Sequence, residues 1–319
     1  MCGKCEGTSA AVTTNYDYIL SGLDINFAED TTRTGFNLDG TYSGEAGGDT
    51  CEMQDYFSPA SNQLHRYACL ASDPNCLGGV DNHLPELVNV FDHTMRVSFR
   101  ERSHFWIRNG RAVWIVRFSG IDNFWADDTV RVILYRGWAK TTDCDEFLGG
   151  SGYVYVDNAS LNTSGDLDSP KWFIDGGIVD RMFYASRRYG QGLSTDNPLP
   201  LTINLTSSTT VTFDLYQAAL YMDMYPIQYS AGAATAMFGG WVNTDTFSLR
   251  LEQSFPSMAT QIFQMMPHLS DLPSVGGTCD TGSVLAVGGI SMGANLTLQP
   301  VTISDTRDTP YSSGCGYGW

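Results

Sequence analysis

Lysine is scarce in this 319-residue chain. Three lysines and 15 arginines face 35 acidic residues, and the formal net charge is −17 at pH 7. Aspartate supplies most of that charge, with 27 Asp against 8 Glu. A surface of this kind repels phosphate backbones, so nucleic acid is a poor partner. An aspartate-rich, lysine-poor composition is typical of saline surroundings, or of proteins that bind divalent cations through oxygen ligands.

Long hydrophobic runs are also missing. No apolar stretch approaches the roughly 20 residues of a membrane-spanning helix, and no signal peptide is recognisable. If the protein is exported, we expect its leader to have been removed. The chain is nevertheless 42% hydrophobic, and its charged fraction of 17% is below the roughly 25% usual for soluble proteins. It therefore has enough apolar residues for a large core.

Recognised catalytic patterns are absent as well. The sequence has no G-x-S-x-G motif, and its five histidines lack the spacing of a zincin site. The nearest approach to the paired carboxylates of a glycosidase is Asp143 with Asp145 and Glu146. Because Cys144 lies in the same loop and is a disulfide candidate, a solvated loop is the favoured interpretation. A secreted hydrolase that cleaves glycans through paired carboxylates is the alternative function.

Cysteines are even in number and scattered over the chain. They are Cys2, Cys5, Cys51, Cys69, Cys76, Cys144, Cys279 and Cys315. This distribution favours disulfides and therefore an oxidising compartment. A zinc site at the Cys2-x-x-Cys5 pair is the alternative, but no second pair follows at the spacing that zinc modules use.

Three of these cysteines carry specific predictions. Cys2, followed by a Gly- and Ser/Thr-bearing stretch, is typical of a mature bacterial lipoprotein, so we predict a lipid anchor there. An ordinary disulfide at Cys2 is the alternative, since lipidation would leave one unpaired thiol. Cys279 and Cys315 are predicted to pair and to close a loop of about 37 residues, which the chain-entropy model values at about 3–4 kcal/mol.

Strand patterns extend over most of the chain, and the segment 236–253 is among those predicted as strand. In the runs 111–121 and 128–138, apolar residues alternate with polar ones or follow one another, as in half-buried strands. The segment DNFWADD between them predicts a hairpin turn. We therefore predict a mainly β fold, an antiparallel β-sandwich that is one large unit or two fused ones, with one or two short helices. Residues 1–80 are expected to be a loop-rich segment with disulfides, and residues 81–319 the sandwich body.

The predicted body contains a faint internal repeat. Thr129–Tyr135 and Thr210–Tyr216 share the form T-V-x-[VF]-x-L-Y. This similarity suggests two related β units, at about 95–165 and 170–304. Strand heptads also resemble one another by composition alone, which is the alternative explanation.

Helix patterns are restricted to two segments, 84–99 and 254–269. Asp81 stands at the N-cap position of the first, so helix capping explains most of the polar residues around it. The alternative is a calcium site in which Asp81 and Asn82 join oxygen ligands from another loop, such as the one around Asp39. Calcium is therefore a possible cofactor.

Aromatic residues provide the candidate ligand-binding positions, since tryptophan and tyrosine faces serve as apolar platforms in many β proteins. Most of the tryptophans are expected in the core. Trp125, in the predicted turn, and Trp172, in SPKWFIDG, look least like strand-interior positions. We predict that these two bind a ligand.

The order of several segments carries a family resemblance. The chain contains, in succession, GFNLDG, DTCEMQDYFSP, GGVDNHLPEL, RFSGIDNFWADDTVRVILYRG, DGGIVDRM, AMFGGWVNTDTFSLRLEQ, CDTGSVLAVGGISMGANL and a closing Cys315. This succession resembles a large group of uncharacterised envelope lipoproteins of myxobacteria and related bacteria. The chain departs from this group in two features. It lacks the leader with its lipobox, and it lacks the Asp-x-Asp-x-Asp-Gly run that would have made calcium binding a strong prediction.

The resemblance implies a location and an architecture. It implies a β-rich protein that is secreted or held in the cell envelope, often by a lipid in the outer membrane. Together with the missing catalytic motifs, it suggests a noncatalytic protein that binds a glycan or an envelope protein, or that assembles at the surface.

Overall fold

Strands form most of the part of the chain that the structure describes. The structure is a computed structural model that describes residues 14–24, 82, 84, 99–108, 110, 113–139, 153–186, 198–204, 210–229, 232–260, 262 and 289–309. The strands are β1 (Thr14–Asp24), β2 (Val113–Ile121), β3 (Ala126–Ala139), β4 (Tyr153–Asp157), β5 (Trp172–Val179), β6 (Met182–Ser186), β7 (Leu199–Asn204), β8 (Thr210–Asp223), β9 (Ala234–Asn243), β10 (Gly289–Pro300) and β11 (Thr302–Arg307). The helices are α1 (Phe99–Arg108), α2 (Tyr225–Gln228) and α3 (Thr244–Ser254), with 3-10 turns at Asn158–Ser160 and Pro256–Met258.

Eight of the strands close into a barrel. In chain order they are β1, β2, β3, β5, β6, β8, β9 and β10; each pairs antiparallel with the next, and β10 pairs with β1. The predicted mainly antiparallel β fold is confirmed. The predicted sandwich differs from this arrangement, in which a single sheet curls until its first and last strands meet. An alternating pattern shows that one sheet face is buried, but it does not show whether a second sheet or the same sheet covers that face.

The remaining strands branch from the barrel. β3 pairs with β5 over 126–134 and then with β4 over 137–139, and β11 adds to β4 in parallel. β8 likewise pairs first with β7 and then with β6. The two related heptads lie in these two branching strands. β1 belongs to the stretch that we expected to be loop-rich, so the barrel includes part of residues 1–80.

Side chains fill the barrel interior. Phe118 of β2 is fully buried there, with ring centroids 5.7 Å from Phe183 of β6 and 6.2 Å from Tyr18 of β1, both edge to face. An eight-stranded barrel has an interior just wide enough for such packing. A second, smaller cluster buries the outer face of β1 to β3, where Ile115 and Tyr135 pack beneath β4 and the segment after it. β2, and β3 from Val132 onward, are thus buried on both faces.

The three described helices were not predicted: α1 begins at Phe99, where the predicted helix 84–99 was expected to end, and α2 and α3 precede the predicted helix 254–269, α3 ending at its first residue. The segment 236–253 was predicted as strand throughout, which is wrong beyond Asn243, because α3 begins there. The Asn243 side chain accepts a hydrogen bond from Thr246 N at 3.0 Å, and Asp245 lies in the first turn. Both features favour a helix start. Leu84 is helical and buried, and 259, 260 and 262 are helical, in agreement with the two predicted helices at those residues.

The two ends of the barrel are unlike. Strands β2–β3, β5–β6 and β8–β9 are joined at one end, the first two by short turns and the third by a connection that carries α2. We call this the turn end. Longer connections lie at the opposite end, where α1 packs on β1 and β7. Among the described residues, no helix has the length and apolar character needed to span a bilayer.

Candidate binding surface at the turn end

Trp125 lies at the tip of the β2–β3 hairpin and is 57% exposed. Its N–H donates to Asn123 Oδ1 at 2.8 Å, and its carbonyl accepts from Arg181 N at 3.4 Å. A large aromatic side chain so exposed on a turn buries little apolar surface in the fold. Its ring is therefore available for contact with a ligand if other exposed rings lie beside it.

The buried carboxylate of Asp127 holds this turn together. It accepts hydrogen bonds from the backbone N–H groups of Asp122, Asn123 and Thr129, at 2.7, 3.3 and 3.0 Å, and from the Thr129 hydroxyl. Burial by itself raises the pKa of the Asp127 carboxyl, but these hydrogen bonds outweigh it and hold the pKa below its usual value. The backbone that carries Trp125 is thus preorganised.

Arg181 is the centre of the surface. Asp180 and Arg181 form the two-residue β5–β6 turn with φ of 50° and 71°, the left-handed pair that a tight hairpin requires. The Arg181 guanidinium lies 5.5 Å from the centroid of the Trp125 ring and 5.1 Å from that of Tyr225. Its Nε is 3.3 Å from Asp223 Oδ1. One side chain therefore joins all three connections of the turn end.

The α2 segment adds two exposed tyrosines. Tyr225 and Tyr229 lie one helical turn apart with ring centroids 4.7 Å apart, and both are exposed. Asp223 Oδ1 accepts the Tyr225 N–H at 2.9 Å, which positions the first ring beside Arg181. Trp125, Tyr225 and Tyr229 thus form a row of exposed rings.

Acidic side chains surround this row. Asp122, Asp128 and Asp180 are exposed on the two hairpin turns. The one basic side chain described at the row is Arg181, and Asp223 balances its charge. The surface therefore carries net negative charge and disfavours anionic ligands.

The structure does not bring Trp172 to this surface. In the β3–β5 register, Ala126 lies opposite Val179 at the turn end, whereas Leu134 lies opposite Trp172 at the other end. Trp172 is partly buried, and its ring centroid is 6.5 Å from that of Trp114. Ligand binding at Trp172 stays a prediction. Four other tryptophans are buried, as expected: Trp106, Trp114, Trp138 and Trp241.

Of the predicted calcium ligands, the structure describes Asn82 alone. This side chain is fully buried, and its Oδ1 accepts the Gly293 N–H of β10 at 2.8 Å. That contact accounts for the burial of Asn82 without a cation. Asp39 and Asp81 lie outside the described residues. Among the residues that the structure describes, no group of three or more His, Cys, Asp or Glu side chains is placed to hold a metal ion. Calcium binding stays a prediction.

Other predicted residues also lie outside the described ranges. These are Cys2, Cys279, Cys315 and the remaining cysteines, together with Asp143, Asp145 and Glu146. The lipid anchor, the disulfides and the carboxylate loop therefore stay predictions.

A small apolar cavity of about 50 Å³ lies inside the barrel beneath α1 and β7. Its lining includes Trp114, Leu134 and Leu201, with Ser103 and Thr202 as the polar members. Ligand pockets for drug-sized molecules measure roughly 300–1,000 Å³. The cavity is therefore far smaller than a pocket of that kind.

Sequence reasoning identified Trp125 but missed Arg181, Tyr225 and Tyr229. The dipeptide Asp180-Arg181 lacks the glycine that marks a tight hairpin turn, and the spacing of the tyrosines shows only that they would be neighbours on a helix. Neither feature reveals that the three connections meet, because that depends on how the barrel closes.

Comparisons with protein families, with curated proteins and with solved structures found no match to this chain.

Proposed function

We propose that this chain is a noncatalytic glycan-binding protein and that the turn end of its barrel is the binding surface. The observation that carries the proposal is the row of exposed rings around Arg181, in which Trp125 lies on a turn held by hydrogen bonds. A rigid site loses little conformational entropy on binding. The resemblance to envelope lipoproteins supports a secreted or envelope location, with Cys2 as the lipid attachment point.

A sugar fits the chemistry of this surface. A pyranose ring has an apolar face of C–H groups and a rim of hydroxyls. The indole of Trp125 and the phenol ring of Tyr225 offer platforms for the apolar face. Arg181 and Asp223, between these rings, offer a donor and an acceptor for the hydroxyls.

Among the residues that the structure describes, the two carboxyl groups with displaced pKa values lie apart, which agrees with a noncatalytic role. Burial raises the pKa of Asp157, whose carboxylate accepts the Ala159 N–H at the end of β4. Asp127 lies at the turn end, near the start of β3, whereas β4 pairs with the far end of that strand. The two carboxylates therefore do not face each other across one cleft, and each caps a local turn.

Glycan affinity measurements test this proposal. Neutral polysaccharides are first screened for binding to the wild type. For a polysaccharide that binds, Trp125→Ala should lower the affinity at least tenfold and leave the melting temperature unchanged, because the exposed ring contributes little to the core. Tyr153→Ala, which removes an exposed aromatic side chain of β4, is the matched control and should bind as the wild type does.

Two results would contradict the proposal. One is wild-type affinity in the Trp125→Ala protein. The other is release of reducing sugar by the wild type that is lost in Asp143→Asn or Asp145→Asn, which would establish the hydrolase instead.

A further inference from the structure

We infer that the glycan site extends beyond the turn end onto the barrel wall, where Tyr184 and Tyr221 form a second subsite for the same uncharged chain. This inference rests on the proposed function and adds the length and charge of the ligand. It predicts an extended oligosaccharide rather than a single sugar.

The second subsite is a pair of exposed tyrosines on neighbouring strands. Tyr184 of β6 and Tyr221 of β8 lie directly opposite each other in the strand register. Their ring centroids are 6.5 Å apart in an edge-to-face arrangement, and the two side chains are 50% and 38% exposed. Gly177 lies opposite Tyr184 on β5 and has no side chain to cover its ring.

A continuous surface joins this pair to Trp125. The next outward-facing pair toward the turn end is Met182 and Asp223, about 7 Å along the strands since side chains on one face repeat every two residues. Asp223 contacts Arg181, whose guanidinium lies over Trp125. The path from Tyr221 to Trp125 through these side chains is on the order of 15 Å, longer than one sugar ring.

Charge determines what kind of chain fits. Asp122, Asp128 and Asp180 are exposed around the near subsite, and the ion pair leaves Arg181 no net positive charge to offer. A polyanionic glycan would meet like charge there, and the whole chain carries −17. An uncharged oligosaccharide meets no such repulsion and can accept hydrogen bonds from the guanidinium as well as donate them to the carboxylates.

The test is a chain-length series on the whole protein. Wild type is titrated with neutral β-1,4-linked oligomers of glucose, xylose, mannose and N-acetylglucosamine, from monomer to hexamer, and with uronic-acid oligomers. We expect affinity for one neutral series to rise with length. The double variant Tyr184→Ala/Tyr221→Ala should lose affinity for the long oligomers about tenfold, as an aromatic contact worth about 1.4 kcal/mol would predict, and should bind the short oligomers as the wild type does.

The tyrosine-to-phenylalanine double variant is the conservative control. It keeps both rings and should retain the length dependence. If the alanine variant binds long oligomers as tightly as wild type while Trp125→Ala weakens all lengths, the second subsite is refuted and the proposed function stands. Equal affinity for the uronic-acid oligomers refutes the charge argument. If the wild type binds none of the oligomers, or if Trp125→Ala has no effect, the proposed function fails and a protein partner becomes the better occupant of this surface.

Discussion

Asp127 illustrates how one side chain organises the binding surface. Its carboxylate accepts hydrogen bonds from the backbone of the turn that carries Trp125, so its role in the proposed binding surface is to hold that turn. A carboxylate with three backbone donors is stabilised in its charged form, which is why its pKa lies below the usual value.

Replacing Asp127 by Asn should destabilise the protein by about 1–3 kcal/mol at neutral pH, since an amide offers a single acceptor atom to several donors. A lowered folded-state pKa stabilises the fold above the unfolded-state pKa, and that contribution is lost as pH falls through the folded-state value. The stability gap between wild type and variant should therefore shrink in acid. Urea unfolding at neutral and acidic pH measures the gap, and a gap that widens in acid would contradict the prediction.

The contribution of Tyr135 to folding stability depends on pH with the opposite sign. This fully buried phenol donates a hydrogen bond to Leu167 O at 2.6 Å, and burial raises its pKa to about 12, with Asp17 and Asp168 adding to the shift and Arg117 opposing it. The associated stabilisation is present below the unfolded-state pKa of about 10 and is lost as pH rises through the folded value.

Tyr135→Phe should therefore be less stable than wild type by about 1 kcal/mol at pH 7, through loss of the hydrogen bond, and should lose less stability between pH 10 and 12. Unfolding measured along an alkaline series checks this. Parallel losses in the two proteins would show that Tyr135 does not control the alkaline transition.

Two ion pairs join neighbouring strands with similar geometry but differ in how exposed they are. Arg117 of β2 binds Asp17 of β1 through two hydrogen bonds of 2.6 and 3.0 Å, and the side chains are 9% and 16% exposed. Arg131 of β3 binds Asp175 of β5 with nearly the same geometry, but those side chains are 45% and 62% exposed.

Asp17→Asn should cost about 3–5 kcal/mol, because it leaves the buried Arg117 charge unpaired. Asp175→Asn should cost less than about 1 kcal/mol, because water replaces the lost partner of an exposed arginine. Chemical denaturation of both variants checks the ranking. Equal costs would show that burial does not determine the contribution of these pairs.

At the scale of the whole molecule, closure makes the barrel one unit. β1 and β10 form the closing pair although nearly the whole chain separates them, and the ring passes through both of the sequence segments proposed as related β units. A strand removed from a closed barrel leaves two unpaired edges, so partial unfolding is unfavourable.

We therefore expect the barrel to unfold in one cooperative transition. Tryptophan fluorescence and far-ultraviolet circular dichroism should give coincident curves in urea, and the calorimetric enthalpy should equal the van't Hoff enthalpy. Two separated transitions, one for each of the segments 95–165 and 170–304, would contradict a single barrel and favour independent units.

The sequence by itself determined the elements with strong local signals. The apolar patterns in residues 111–121 and 128–138, together with the turn between them, were sufficient to predict the β2–β3 hairpin and the position of Trp125 in its turn. Such patterns depend on the two-residue period of a strand, which each segment carries within itself. The cap of α3 was also readable in the sequence, but the apolar residues on both sides of Asn243 favoured a strand.

Only the tertiary structure decided that the sheet closes on itself and which turns meet. Alternation leaves the choice between sandwich and barrel open, because both bury one face of each strand. The contacts of Arg181 with Trp125, Tyr225 and Asp223 join three separate connections and depend on strand order and register, which are long-range properties. Trp125 and Trp172 looked equivalent in the sequence, yet the register of β3 with β5 places them at opposite ends of the barrel.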